Sequence, residues 1–301
     1  MRYVDYDKIK TNLVNILRYN DIIWVIKDNA YGFGIDKMVE IGLSLGIDFY
    51  AVKDVNEGVY VKKKFPNVNV LVLGKCNNVG KIKQYDLIGT INDYDDYIKY
   101  KDIGARAHLG IDVGMNRFGM KREYIAIIND KIIEAIYTHI YKEDIAFEKI
   151  RFLEELANKY NKKYHLGGSL VYKKTGGLIR IGRLIYENTM MLFGKIISIK
   201  KVNKGEGVGY DSLFIADKDC LIGICDIGYV NGLNRFFNGR VVINGRYYNV
   251  VGKVCMDQCF ILIDSFVDID DEVEFFGTKI SEDEFILKNN MTKYELFLQI
   301  K

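Results

Sequence analysis

The 301 residues carry 43 Lys and Arg against 40 Asp and Glu, a formal charge of +3, with 49% hydrophobic and 28% charged residues. So even a balance excludes the field that would mark nucleic acid or a membrane surface as the partner, and the composition excludes a disordered or collagen-like chain. Small polar ligands are the expected partners, and Cys76, Cys220, Cys225, Cys255 and Cys259, without C-x-x-C pairs or neighbouring His, read as reduced thiols rather than a zinc site.

From the N-terminus, MRYVDYDKIKTNL lacks the apolar stretch of a signal peptide, and no later apolar run reaches the roughly 18 residues of a membrane span. A cytoplasmic protein is expected. Runs rich in β-branched and apolar residues predict strands over Ile22–Ile26, Phe49–Val52, Val68–Leu73, Leu87–Ile91, Arg106–Ile111, Ile133–His139, Tyr164–Gly167 and Leu178–Ile181. Between them, Ile35, Met38, Val39 and Leu43 fall at helical spacing, as do Phe147, Ile150, Leu153, Ala157 and Tyr160. Alternating strands and helices predict an α/β chain with an N-terminal (β/α)8 TIM barrel, whose functional side chains sit at the C-terminal strand ends. Lys27, His139, Ser169 and Arg180 hold such positions.

Near residue 205 the pattern changes to alternating strands with Gly and Asn turns, as in GRVVINGRYYNVVGKV, where Asn244-Gly245 is a hairpin signal. The expected organisation is a barrel over 1–204 and a C-terminal mostly-β domain over 205–301.

Lys27 ends the apolar strand IIWVIK and is followed by DNAYGFG. A lysine there is suited to a Schiff base if burial or neighbouring cations lower its pKa. A solvated strand-end lysine would look the same. The string VIKDNAYGFG, however, resembles the cofactor-lysine motif of the alanine racemase family, close to V-V-K-A-N-A-Y-G-H-G, with Asp28 and Phe33 as departures. The resemblance runs on in family order through most of the chain. It implies pyridoxal 5'-phosphate as cofactor on Lys27, with Tyr31 on its phosphate.

HLGIDVGMNRFGM is similar to the family's H-L-K-x-D-T-G-M-x-R-x-G, which implies that Arg117 meets cofactor and substrate carboxylate. Gly110 stands where many members have a lysine, often carbamylated, so the support for Arg117 must differ, an inorganic anion or water being one substitute. His139 in IYTHI matches a strand-end histidine that bonds the pyridine-side arginine and the catalytic tyrosine, whereas His108 and His165 are expected to pack or bond locally. Ser169 in HLGGS, with Gly182 and Arg183 in LIRIGRLIY, resembles the family's phosphate cradle. Arg180 would face the pyridine nitrogen, and because it cannot accept that proton it favours racemisation over decarboxylation.

In the second domain GEGVGYDSLFIA resembles the segment bearing the family's second catalytic residue, here Tyr210, with Asp211 where Gly is usual. Unpaired, that charge would raise the tyrosine pKa. IGYVNGLNR and VGKVCMDQ resemble the segments that place Tyr229 at the entrance and Met256 and Asp257 in the substrate pocket, and MTKYELFLQIK puts Tyr294 on the phosphate. The family's R-V-P-R-type tail does not follow.

The resemblance implies L- and D-alanine interconversion through an external aldimine by two-base transfer between Lys27 and Tyr210, in a head-to-tail homodimer with composite sites. D-alanine as a peptidoglycan precursor is the implied biosynthetic role. A racemase also acting on serine, a barrel decarboxylase with a carboxylate in place of Arg180, a cofactor-binding barrel without catalysis, and a catalytically decayed paralogue suggested by Gly110, Asp211 and the absent tail stay open.

Overall fold

The computed structural model describes residues 1–175 and 177–301. A short strand, β1 (Arg2–Val4), and a helix over Tyr6–Leu17 precede the eight parallel strands that the sequence predicts. These are β2 (Ile22–Val25), β3 (Phe49–Val52), β4 (Asn69–Val72), β5 (Gly89–Ile91), β6 (Ala107–Gly110), β7 (Ile133–His139), β8 (Lys163–Gly167) and β9 (Leu178–Ile181). Their order is β4-β3-β2-β9-β8-β7-β6-β5. Ile88 closes the ring by donating to the Val70 carbonyl at 2.9 Å and accepting from Val72 N at 2.8 Å. All four residues of β2 are buried, which is why a barrel strand reads as an unbroken apolar run.

The connecting helices have legible starts. Asp54 accepts from the backbone of Asn56 and Glu57 at 2.9 and 3.0 Å to open the helix Val55–Lys64, and Asp93 does the same for Asp96 at 2.8 Å to open Tyr94–Ile103. Two helical faces differ from the spacing read in the sequence. In Ile35–Ser44 the buried stripe includes Ile35, Met38, Val39 and Gly42, whereas Leu43 is exposed. In Ala146–Tyr160 the stripe runs Ala146, Ile150, Leu153, Ala157, and Phe147 lies outside under Lys174. Ala146 is fully buried at the helix start, and Phe147, one residue on, is turned to the surface.

Beyond β9 a single helical turn (Arg183–Tyr186) leads into the long strand β10 (Met190–Val202). It is followed by β11 (Gly207–Val208), β12 (Phe214–Ile215), β13 (Cys220–Cys225), β14 (Arg240–Ile243), β15 (Arg246–Val251), β16 (Cys259–Ile263) and β17 (Glu272–Phe276), then helices over Glu282–Asn289 and Lys293–Gln299. Antiparallel pairing in the order β1-β10-β13-β16-β15-β14-β17, with β17 returning to β10, forms the predicted mostly-β unit. Phe237, Phe276 and Phe285 pack at its centre, the last two with ring centroids 4.6 Å apart.

The two compact units are Ile9–Ile185, and Met1–Lys8 with Tyr186–Lys301. Residues 186–204, assigned to the barrel from sequence, instead begin the β unit, because β10 finds its partners in β1, β13 and β17. No helix among the described residues is long and apolar enough to cross a membrane.

The Asn244-Gly245 turn joins β14 and β15 with φ of 49° and 78°, as a two-residue hairpin turn requires. The Asn244 amide also donates to Asp271 Oδ2 at 2.7 Å. Replacing Asn244 by Ala imposes a left-handed Cβ cost and removes that bond, so stability should fall by about 1–2 kcal/mol. Urea unfolding followed by circular dichroism measures it; an unshifted midpoint would mean that the hairpin tolerates another turn.

Candidate active site

β2 is followed by Ile26, whose N–H bonds to the Ala51 carbonyl at 2.8 Å, and the chain then makes one turn of left-handed helix. Asp28, Asn29, Ala30 and Tyr31 have φ of 54°, 53°, 53° and 55°. Four successive non-glycine residues there cost about 1–2 kcal/mol each, so the turn exists only because its surroundings impose it. Ala30 N bonds to Ile26 O at 2.8 Å and Gly34 N to Asn29 O at 3.0 Å. The Asn29 side chain accepts from Ile35 N at 3.0 Å, capping the next helix. Glu57 accepts from Asn29 N at 3.2 Å and from Lys53 N at 2.9 Å, and Lys53 Nζ lies 3.0 Å from Asp28 Oδ1.

The turn sets Lys27, half-buried, at the strand mouth and drives Tyr31 inward to 6% exposure. A Cβ on residue 182 would lie 2.6 Å from the Tyr31 hydroxyl. Gly182 is therefore required by the tyrosine that reaches across it, with Arg183 opening the turn beyond. Ser169 follows β8 on a loop whose Gly168, at φ 126°, leaves no room for a side chain against the Ile140 carbonyl.

Cross-strand register explains the centre of the barrel mouth. Tyr137 is opposite His165, and His139 is opposite Gly167, which is in turn opposite Arg180. A side chain on Gly167 would collide with the Arg180 guanidinium and come within 2.9 Å of His139 Nδ1. Arg180, 6% exposed, donates from NH1 to His165 Nδ1 at 2.5 Å and from NH2 to the Thr138 carbonyl at 3.0 Å. Its guanidinium carbon lies 4.4 Å from the Tyr137 ring centroid.

His108 and His165 bond locally, as expected, and one of those bonds is to the arginine. His165 is the direct partner of Arg180, while His139 faces the arginine across Gly167. Guanidinium only donates, so His165 Nδ1 accepts, and its Nε2–H is left to donate to His108 Nδ1 at 2.8 Å. Burial, and then the Arg180 charge, push His108 down to about 3 and His139 to about 4, and hold His165 well below its ordinary value. Burial also lowers Arg180 to about 10. Alternation along the strands could have found His108, Tyr137 and His165, since they share the inward phase with Gly110, His139 and Gly167.

Arg117 is exposed on the loop after β6, which Asp112 braces by accepting from Gly114 N and Asn116 N at 3.0 and 3.2 Å. Its charge, with those of Lys27 and Arg180, acts on His139. Thus the charges of Lys27, Arg117 and Arg180 surround a neutral His139 at the C-terminal mouth of the barrel.

The remaining candidates belong to the β unit. Tyr210 is 61% exposed on the turn Tyr210–Ser212. Asp211, at φ 57°, hydrogen-bonds Lys253, which holds its carboxyl below the usual range. The charge feared for the tyrosine is thereby paired. Tyr229 N bonds to Cys255 O at 3.0 Å and Val230 N to Met256 O at 2.8 Å, so Tyr229 and Met256 sit on adjoining loops. Both line a groove of about 790 Å³ with Leu298 and Glu295. Asp257 and Tyr294 are exposed, the latter on the helix Lys293–Gln299.

All three histidines of the chain are held neutral. Unfolded, they titrate near 6.5, so the unfolded state binds protons that the folded state refuses. Stability should be full above that pH and fall as pH drops through 6.5 towards the folded values, with a slope approaching about 4 kcal/mol per pH unit for three protons. Urea midpoints followed by the fluorescence of Trp24, the one tryptophan, report this for the barrel unit. A midpoint constant from pH 7.5 to 5.5 would contradict the neutral assignment.

Residues 4–186 match the family profile described as alanine racemase, N-terminal domain, and residues 189–301 that described as alanine racemase, C-terminal domain. The chain is 30% identical to the alanine racemase of Helicobacter pylori (strain G27), covering 86% of this chain and 83% of the relative. Among solved structures, alanine racemase from E. faecalis superposes with a TM-score of 0.89 at 22% identity, covering all of this chain and 95% of that one. That from Bartonella henselae, with covalently bound pyridoxal phosphate, gives 0.88 at 18% identity over all of this chain and 96% of its own.

Proposed function

The chain belongs to the alanine racemase family, and on that premise we propose that it interconverts L- and D-alanine by moving the α-proton between Lys27 and Tyr210 on opposite faces of the substrate. The family is pyridoxal-phosphate dependent. When bound, that cofactor supplies an electron sink that acidifies the substrate Cα–H.

The residues fit such a group. A half-buried amine stands two residues beyond β2, and the bare backbone of Gly182 lies under the Tyr31 hydroxyl, a place suited to a phosphate to which Ser169 and Arg183 would add donors. In this reading Lys27 binds the cofactor and, once released, takes or returns the α-proton at Nζ. Tyr31, Ser169, Gly182, Arg183 and Tyr294 hold the phosphate. Arg117 holds the substrate carboxylate, and Met256 with Tyr229 and Asp257 limits the space beyond Cβ to a small side chain. Arg180 supplies the positive charge, with the neutral His139 beside it as a hydrogen-bonding group, that lets Tyr210 work as a base.

The observation that carries the reading is Arg180. Its partners are an imidazole, a carbonyl and an aromatic ring, all neutral, so the guanidinium stays a charged donor at the barrel mouth. A decarboxylase on this scaffold would need a carboxylate there. The decayed-paralogue reading loses ground because Asp211 is neutralised by Lys253.

Tyr210 and Met256 are 61% and 59% exposed on the β unit, which supports their service to a second copy in a head-to-tail homodimer. We place the enzyme in the cytoplasm, a reading supported by its five free thiols.

Chiral chromatography after incubating L-alanine, L-serine and L-lysine with protein and pyridoxal phosphate should give D-alanine as the dominant product. Lys27→Ala should be silent, and Tyr210→Phe should lose a factor on the order of 10²–10⁴. Mixing the two inactive variants should restore activity, because a mixed dimer contains one intact composite site. Silence on mixing, with mixed dimers present, would reject the composite site; carbon dioxide in place of D-alanine would favour the decarboxylase.

A further inference from the structure

The Arg180 guanidinium is buried, and its hydrogen-bond partners, His165 and the Thr138 carbonyl, carry no negative charge. A buried cation ordinarily needs an anion beside it, from a carboxylate or from solution. In this chain an uncharged side chain occupies the neighbouring space. Tyr137, on β7 and 9% exposed, donates its phenol to Asn92 Oδ1 at 3.1 Å. Asn92, 6% exposed, is held in turn by the Thr90 hydroxyl at 3.4 Å.

The Tyr137 ring stacks on His165 with centroids 5.1 Å apart and planes 8° from parallel, and the Arg180 guanidinium carbon lies 4.4 Å from its centroid. Gly110 completes the arrangement. A Cβ there would be 3.0 Å from Asn92 Oδ1 and from both Cζ and Oη of Tyr137. A side chain at 110 is thus crowded by the phenol and the amide, where the sequence alone left room for an anion or water.

We propose that Tyr137, anchored by Asn92, is a positioning residue for Arg180: its ring face carries the guanidinium and its phenol fills the space beside Gly110, so the site works without a bridging anion. The inference rests on the racemase reading for what Arg180 does. The aromatic face offers a cation electrostatic attraction without a counter-charge. A neutral support also leaves the positive charge of Arg180 uncompensated at the barrel mouth.

The test compares wild type, Tyr137→Phe and Tyr137→Leu, each verified as folded by its Trp24 unfolding midpoint. The readouts are the dissociation constant of pyridoxal phosphate by absorbance titration, kcat and KM for alanine, and the response of each to added sodium formate or bicarbonate. Wild type should ignore both anions. Tyr137→Leu should bind pyridoxal phosphate more weakly and lose kcat by about ten- to thirtyfold, the size of a desolvated cation–π contact, with KM less affected.

Formate should return part of both losses in Tyr137→Leu by entering the emptied space, and Tyr137→Phe, which keeps the ring, should stay within about threefold of wild type. Stimulation of wild type by either anion would overturn the proposal. So would Tyr137→Leu matching wild type, or equal loss in both variants without rescue by formate. Weakened cofactor binding in Tyr137→Leu, restored by formate, in a protein that racemises nothing would sustain the positioning role while the racemase reading falls.

Discussion

A fully desolvated guanidinium is the constraint around which the barrel mouth is organised. Removing such a charge from water costs several kcal/mol even after relaxation, and a lone buried arginine does not persist without partners. Arg180 meets that cost with His165, the Thr138 carbonyl and the Tyr137 ring. Because the arginine can only donate, the tautomer of His165 follows, and so does its bond to His108. The same arginine explains why β8 ends in glycine: any side chain at 167 would occupy the guanidinium's place. One charge thus dictates residue choice on β6, β7 and β8.

The other ordered feature of the mouth is strained rather than charged. Four left-handed residues after Lys27 hold Tyr31 against Gly182, and the bonds from Asn29 and Glu57 keep the turn from relaxing. Two departures from the family pattern share a logic. Asp28 and Asp211 both sit at left-handed φ, 54° and 57°, where a short polar side chain is tolerated, and each is matched by a lysine, Lys53 and Lys253. Exposed pairs of this kind add little stability. Their effect is local neutrality beside Lys27 and Tyr210, the residues proposed to move the proton, so neither substitution leaves an unpaired negative charge next to a base.

Much was legible in linear order. The strand runs are contiguous apolar segments bounded by turn residues, and a parallel strand buried on both faces needs no long-range information to be recognised. Asn244-Gly245 announced its hairpin because the backbone conformation it favours is a local property. Helix faces were less secure: Phe147 has the spacing of a core residue, yet Ala146 is the buried one and the phenylalanine is turned outward. Residues 186–204 joined the β unit because β10 pairs with β1, almost the whole barrel sequence away. No local signal carries that pairing.

The sequence by itself determined the family, the barrel with its β partner, and the candidate set from Lys27 to Tyr294, since contiguous motifs encode strand ends and turns together with the side chains they bear. Tertiary structure alone decided which of three histidines holds Arg180, what fills the space beside Gly110, and how Asp211 is neutralised. Those answers depend on cross-strand register and on approaches of side chains distant in sequence. His139 matched a motif, but the register that puts Tyr137 opposite His165 and Gly167 opposite Arg180 gave the bond to His165. A motif specifies residues along one strand; the partner of a buried charge is chosen by the strands beside it.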